Sequence, residues 1–378
     1  MTVIGLTLLS VLYTRDLIAL TNGLSTAETK IAETPVGWQG ILNDSFYLPL
    51  KLLLSAGFYL FDQGGALVSR LPSVLFAMTA VFALTAVIKA WHGTRIALFA
   101  GAMFATSAWT LHVSRYAGLD SSYLLAAPVL IATVMLLKRS KCWWIPAFVL
   151  FIWSVLLFTP GLIWLILLAA FWERYSIVDA WNQSTSWLKK LLLPFSFILL
   201  LPLLIYRIAS STDATLTWLG LASNFGNLSE FAVRLGSVPL NLFAMGPNNP
   251  ELWLGRLPLL DTITIVFTIL GIVYYAKRWR ADRSRLLGSF LIISWFIIAL
   301  GGPAGLSLIV PIIYFLAGSG IAQLNNEWLK RFPNNPIARS FGTILLVLAI
   351  AMSCLYNLRS YFIAWPNNPA TISTFTDR

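Results

Sequence analysis

Runs such as VLFAMTAVFALTAVI (74–88) and ILLVLAIAMSCLYNL (344–358) pass fifteen residues without a charged side chain. In water such runs would have to be hidden, and this chain has too many of them. Of its 378 residues, 58% are hydrophobic and 11% charged, where ordinary globular chains are about 45–50% apolar and about 25% charged. A soluble fold of this length cannot cover that much apolar surface. The chain reads as an all-α polytopic membrane protein forming one transmembrane domain over 1–378.

A helix needs about 20 mostly apolar residues to cross the hydrocarbon core. Hydropathy predicts eleven spans: 2–20, 66–88, 96–112, 118–137, 143–158, 160–173, 190–206, 258–276, 286–301, 304–321 and 340–358. Arg15 and Asp16 weaken the first. Thr159-Pro160-Gly161 turns the chain between the fifth and sixth. The segment FYLPLKLLLSAGFYLF (46–61) is ambiguous. As a twelfth span it inverts every later loop; as an interfacial helix it leaves the parity alone.

Charge chooses between the two. With 46–61 lying in the interface, the inner loops collect 16 of the 26 basic residues and four of the 15 acids, leaving 10 basic and 11 acidic outside. The net charge of +11 then splits as +12 inside and −1 outside. That is the positive-inside asymmetry, and it accounts for the basic balance without a nucleic-acid partner. The organisation that follows has a first outer loop over 21–65, a second over 207–257 and an outer tail over 359–378. Cys142 and Cys354 fall near opposite faces, so neither a disulfide nor a cysteine metal site is expected. The opening MTVIGLTLLSVLYT lacks a basic n-region, which argues against a cleaved leader.

Three polar clusters fall on the predicted outer side. GLSTAETKIAETPVGWQGILNDSFYLP (23–49) holds Glu28, Glu33 and Asp44. VSRLPSVLF places Arg70 at the outer end of the second span, and LHVSRYAGLDSSY carries His112, Arg115 and Asp120. Each has a plain reading. Arg70 could anchor at headgroups, Arg115 and Asp120 could form a local ion pair, Glu33 could be solvated, and His112 could be a hydrogen-bonded interfacial residue. Together they suggest a site. Arginine's planar fork suits phosphate, and a carboxylate beside apolar surface suits a general base. No P-loop, GxGxxG or HExxH occurs, so an outer-face enzyme would need a membrane-delivered activated donor.

STAET (25–29), SRLPSVLF (69–76), SRYAGLD (114–120) and LGRLPLLDTITIVFTILGIVYYAKR (254–278) occur in that order. The set resembles the GT-C superfamily of lipid-phosphate-dependent glycosyltransferases, in its protein O-mannosyltransferase and aminoarabinose transferase branch. The likeness is greatest over about 15–140. The resemblance implies juxtamembrane helices in the first outer loop and an inverting single displacement at the extracytoplasmic face of the plasma (inner) membrane. It implies a polyprenyl-phosphate-linked sugar donor and a lipid, glycan or protein acceptor. It makes Glu28 the base, with Asp44 able to share or replace that role. It leaves Arg115, Arg70 and Arg256 as donor-phosphate ligands, and Asp120 and His112 as supporting residues. A divalent cation (Mg or Mn) at Asp44 or Asp120 is one option it leaves open. The chain departs from the family at Ala27, where the pattern usually has Asp, and the expectation is that the soluble domain with which many members end is missing. The rival readings are a flippase or transporter of a lipid-linked precursor and a non-catalytic membrane scaffold. The scarcity of charge in the middles of the later spans weighs against a transporter.

Overall fold

The computed structural model describes the chain except for residues 1, 18–19, 21–22, 33–37, 62–64, 140–141, 143, 184–186, 224–226 and 376–378. Glu33 therefore lies outside the described residues. The described regular elements are helices, with one isolated antiparallel bridge between Leu221 and Gly301. The N-terminal part contains α1 (Thr2–Thr14), α2 (Thr26–Ala32), α3 (Trp38–Asn43) and α4 (Leu48–Phe61). Next come α5 (Ala66–His92), α6 (Thr94–Thr106), α7 (Ala108–Arg115), α8 (Asp120–Arg139), α9 (Ile145–Leu156) and α10 (Ile163–Gln183). The middle holds α11 (Trp187–Ile198), α12 (Leu201–Ala209), α13 (Thr212–Trp218) and α14 (Leu228–Phe243). The last third comprises α15 (Thr262–Ala276), α16 (Asp282–Ala299), α17 (Val310–Arg331), α18 (Pro336–Arg359) and α19 (Pro369–Phe375).

Each of the eleven predicted spans overlaps a helix among the described residues, but fewer have the full character of a crossing. Among the described residues, five helical stretches are long and apolar enough, and six if the bent pair α6–α7 is one broken span. The helices of α1, α9 and α15 are apolar but short. Those of α10 and α16 carry Glu173, Arg174 and Asp179, and Asp282, Arg283 and Arg285. The ambiguous segment is α4, of 14 residues, about 21 Å long at 1.5 Å per residue and short of a ~30 Å hydrocarbon core. Its buried residues include Leu50, Leu54 and Gly57, and it packs on α5, where Val68 closes over Gly57.

The tightest helix pairing is α15 with α17. A Cβ on Gly271 would strike the Leu316 carbonyl, and one on Gly320 would strike the Phe267 carbonyl. Small residues let the two backbones touch, which is how helices gain packing where lipid offers no hydrophobic drive between them. On its other side α17 meets α6 and α5, and α5 in turn packs on α8 and α6.

This bundle has two chemically distinct ends. Arg70 lies near the start of α5, and Lys89 lies near its end, 19 residues or about 28 Å further along the axis. Arg139 at the end of α8 donates to the Ala90 carbonyl, and the Arg283 guanidinium of α16 stands over the Trp91 ring. The basic loops thus gather at one end. The polar clusters that include Arg70 and Arg115 belong to the other.

The charge asymmetry gives this polarity a direction. In a Cys142→Ser background, an exposed thiol introduced at Ser229 should react with an impermeant maleimide on intact cells. One introduced at Arg280 should react only after permeabilisation. The reverse pattern would invert the topology.

Candidate functional site

The polar end is organised by one short sequence, Ser25-Thr26-Ala27-Glu28, at the start of α2. The Ser25 hydroxyl accepts the Glu28 N–H at 3.2 Å, and Glu28 Oε2 accepts the Ser25 N–H at 3.1 Å. This reciprocal capping box satisfies two donors that a helix start leaves bare. The same carboxylate meets the fork of Arg70. Nε donates to Oε1 and Nη2 to Oε2, both at 2.8 Å. The Ala117 N–H, in the turn before α8, adds a fourth donor to Oε1 at 2.8 Å. Arg70 further donates to the carbonyls of Leu17 at 2.6 Å and Gly23 at 3.0 Å. The side chains of Glu28 and Arg70 are 0% and 4% exposed. The headgroup-anchor reading of Arg70 does not hold. It ties the connection from α1, the start of α2 and the turn before α8 to α5.

Arg115 and His112 come from α7. The chain bends by 59° between α6 and α7, and the bend leaves the Ala108 N–H for the Asn357 side chain to accept at 3.1 Å. The new direction carries both residues into the polar end. Arg115 Nε donates to the Tyr361 hydroxyl at 3.1 Å, and Nη1 donates to the Leu12 carbonyl at 3.1 Å. Its Nη2 is buried with no acceptor, and its guanidinium lies 5.0 Å from the Phe362 ring centre. The ion pair with Asp120 does not form. Asp120 instead accepts from Ser307 at 3.4 Å. The turn 116–119 directs the two side chains into different surroundings, so proximity in sequence misleads here. His112 packs edge-on against Tyr361 and Trp365, each with ring centres 4.6 Å away.

Asp44 stands apart. It bonds Lys51 at 2.6 Å and Arg207 at 3.2 Å, on the rim of a cavity of about 290 Å³ that Ile31, Tyr47 and Leu119 also line. Burial alone would push its carboxyl up. The hydrogen bonds and charges of Lys51 and Arg207 outweigh that and hold it below the ordinary carboxylate value. Arg256 is exposed, and among the described residues its side chain donates only to the Met245 sulfur, at 3.7 Å. Among the described residues no three His, Cys, Asp or Glu side chains come together as a metal site. Two cations already occupy Asp44, and Asp120 is met by a lone hydroxyl. Neither donor set fits a divalent cation.

Two participants escaped the sequence reading. Glu251, from the connection between α14 and α15, accepts from the Tyr116 hydroxyl at 2.9 Å and faces a cavity of about 10 Å³ that it shares with Arg70, His112 and Arg115. Its only sequence signal is an acid in the turn-rich run GPNNPELW. Tyr361 sits in a single π-helical turn, Ser360–Ala364, which widens the end of α18 at the place where its ring meets Arg115 and His112. Such turns are often found at functional sites. Trp365 donates to the Pro250 carbonyl at 3.0 Å, and Phe375 of α19 packs on Trp365, so the C-terminal segment covers this cavity.

No family model and no curated protein sequence matches the chain. Solved structures do. ArnT from Cupriavidus metallidurans in the apo state superposes with a TM-score of 0.61 at 12% identity, over 99% of this chain and 77% of that one. The same protein bound to undecaprenyl phosphate gives 0.58 at 13% identity, over 98% and 76%. The fold is ArnT-like, as the ordered motifs suggested.

The Glu28–Arg70 clamp has a stability consequence. Glu28→Gln leaves a buried guanidinium without its counter-charge, which should cost about 3–5 kcal/mol. The melting temperature of the purified protein should fall, and Glu28→Gln combined with Arg70→Met should recover much of the loss. A Glu28→Gln protein that melts like the wild type would show that the pair carries no such role.

Proposed function

We propose that this chain is a membrane glycosyltransferase of the GT-C type, taking a sugar from a polyprenyl-phosphate donor at the polar end of its bundle. The observation that carries the reading is Arg115: a buried guanidinium with an unpartnered Nη2, no ion pair among the described residues, and a place in an ArnT-like fold. A neighbour of that fold binds undecaprenyl phosphate. A phosphate oxygen is the acceptor that Nη2 lacks. The present cavity of about 10 Å³ has room for about one water. The phosphate therefore enters as the 249–253 loop and the C-terminal segment move outward.

The reaction is an inverting single displacement at the extracytoplasmic face. A hydroxyl or amine of the acceptor attacks the anomeric carbon while the bond to the polyprenyl phosphate breaks, through an oxocarbenium-like transition state. Arg115 stabilises the charge that develops on the departing phosphate. A carboxylate takes the acceptor's proton. The resemblance assigns that role to Glu28, with Asp44 as its partner or substitute. Glu28 can serve only after Arg70, Ser25 or Ala117 releases one of its oxygens. Glu251 already faces the cavity with a single side-chain hydrogen bond, from Tyr116, and is a second carboxylate for the same step.

Arg115→Lys keeps the charge and loses the fork. Transfer of radiolabelled sugar from a polyprenyl-phosphate donor should fall about 30- to 1000-fold, the equivalent of ~2–4 kcal/mol, while Arg256→Gln should leave it unchanged. Normal turnover in Arg115→Lys would move the phosphate site elsewhere.

Glu251→Gln separates the two carboxylates. If Glu251 is the base, this variant should lose transfer while its melting temperature and polyprenyl-phosphate binding stay near wild type. Full activity in Glu251→Gln would return the role to Glu28 or Asp44.

A further inference from the structure

At the end of the bundle opposite this site, α5, α8, α10 and α16 enclose a second cavity, of about 200 Å³. Trp91 and Trp172 stand on its walls with Ile131, Val134 and Leu286, and Lys138, Arg139, Asp282 and Arg283 also line it. The charges there do not cancel. Lys138 is spent on the fully buried carboxylate of Glu173 at 3.1 Å, and Asp282 is held by Arg285 at 2.6 Å. Arg139 and Arg283 have no carboxylate within ion-pair distance among the described residues. Arg139 gives one N–H to the Ala90 carbonyl, and the Arg283 guanidinium lies 5.7 Å from the Trp91 ring centre.

Two further features favour an anion. The Trp172 indole N–H is buried with no acceptor among the described residues. The helix α16, of 18 residues, begins at this cavity with Ala281 in the capping position, so no side chain caps its first N–H groups. A helix N-terminus with two uncompensated arginines and an orphan donor is an oxyanion environment. The remaining wall is apolar, and two of the four helices, α5 and α8, are long and apolar enough to cross a membrane, which suits a molecule with a charged head and a greasy body. Basic pockets between transmembrane helices take lipid phosphates in this way, and tryptophan favours headgroup depth.

We propose that this cavity holds the headgroup phosphate of an anionic phospholipid, clamped by Arg139 and Arg283, on the basic end of the bundle. The apolar wall receives the glycerol and the first carbons of its chains. The site is separate from sugar transfer and stands whether or not that activity is found.

The test uses the full-length protein in detergent, delipidated and titrated with phosphatidylglycerol, phosphatidylcholine or inorganic phosphate. Phosphatidylglycerol should raise the melting temperature by a few degrees, while phosphatidylcholine and phosphate alone should not. Arg139→Gln/Arg283→Gln should lose most of the shift. Lys330→Gln/Arg331→Gln, on the same end but outside the cavity, should keep it. Should the first pair fold poorly, Arg139→Lys/Arg283→Lys retains charge and can be compared by mass spectrometry of co-purified lipid; it should carry less phosphatidylglycerol than the wild type. An equal shift with phosphatidylcholine, an equal shift with phosphate alone, or full retention of the effect in the arginine variants would each overturn the proposal.

Discussion

The buried pair of Glu28 and Arg70 is the contact on which the polar end depends. A carboxylate and a guanidinium out of water are tolerated only when their hydrogen-bonding groups are met. Here the carboxylate receives four donors, and Arg70 also reaches two backbone carbonyls. These bonds come from four places in the chain: the connection after α1, the start of α2, the first turns of α5 and the turn before α8. The segment that follows α1 also buries Ile41, Phe46, Tyr47, Leu50 and Leu54 in the apolar core, and this pair adds the polar fixed point that ties its start to α5 and α8. Its acidic character is in part structural, because Glu28 at the third position of α2 both caps that helix and neutralises Arg70.

Around that fixed point, departures from regular helix do the positioning. The bend before α7 would leave a bare N–H in an apolar bundle, and Asn357 accepts it. Asn357 also donates to Asp261, which caps α15 through the N–H groups of Ile263 and Thr264 and is held by Ser353. The bent pair α6–α7, the start of α15 and the last long helix are therefore joined by one polar network. A π-helical turn a few residues beyond Asn357 brings Tyr361 to Arg115. This explains how an arginine remains buried with an unfilled donor: its other contacts are fixed by backbone geometry that an ion pair would otherwise have to provide.

The opposite end follows a different rule. Its basic residues need no common target to be there, since the positive-inside bias alone accounts for them. What the bias does not require is a cavity between four helices where the acids are already engaged and two arginines are not. The two ends thus show the same physical contrast. A charge paired inside the protein builds structure, and one left without a counter-charge is available to a ligand.

The amino-acid sequence by itself determined the class of fold. Long uncharged runs dictate helices in a membrane, and each predicted span overlaps a helix among the described residues because hydrophobic length is a local property. It also indicated the segregation of charge and an order of motifs whose implied polytopic fold agrees with the ArnT-like fold observed. The Ser25-x-x-Glu28 spacing is itself a legible capping signature. Its partner Arg70 is not legible, because the pairing spans 42 residues and arises from how α2 packs on α5. For the same reason Asp120, five residues from Arg115, turns away from it, and Asp44 joins Lys51 and Arg207 instead of the arginine cluster. Glu251 and Tyr361 reach the site from the connection between α14 and α15 and from the end of α18. Only the tertiary structure could decide those contacts, since they depend on a bend, a widened turn and a covering segment that hydropathy and charge do not encode.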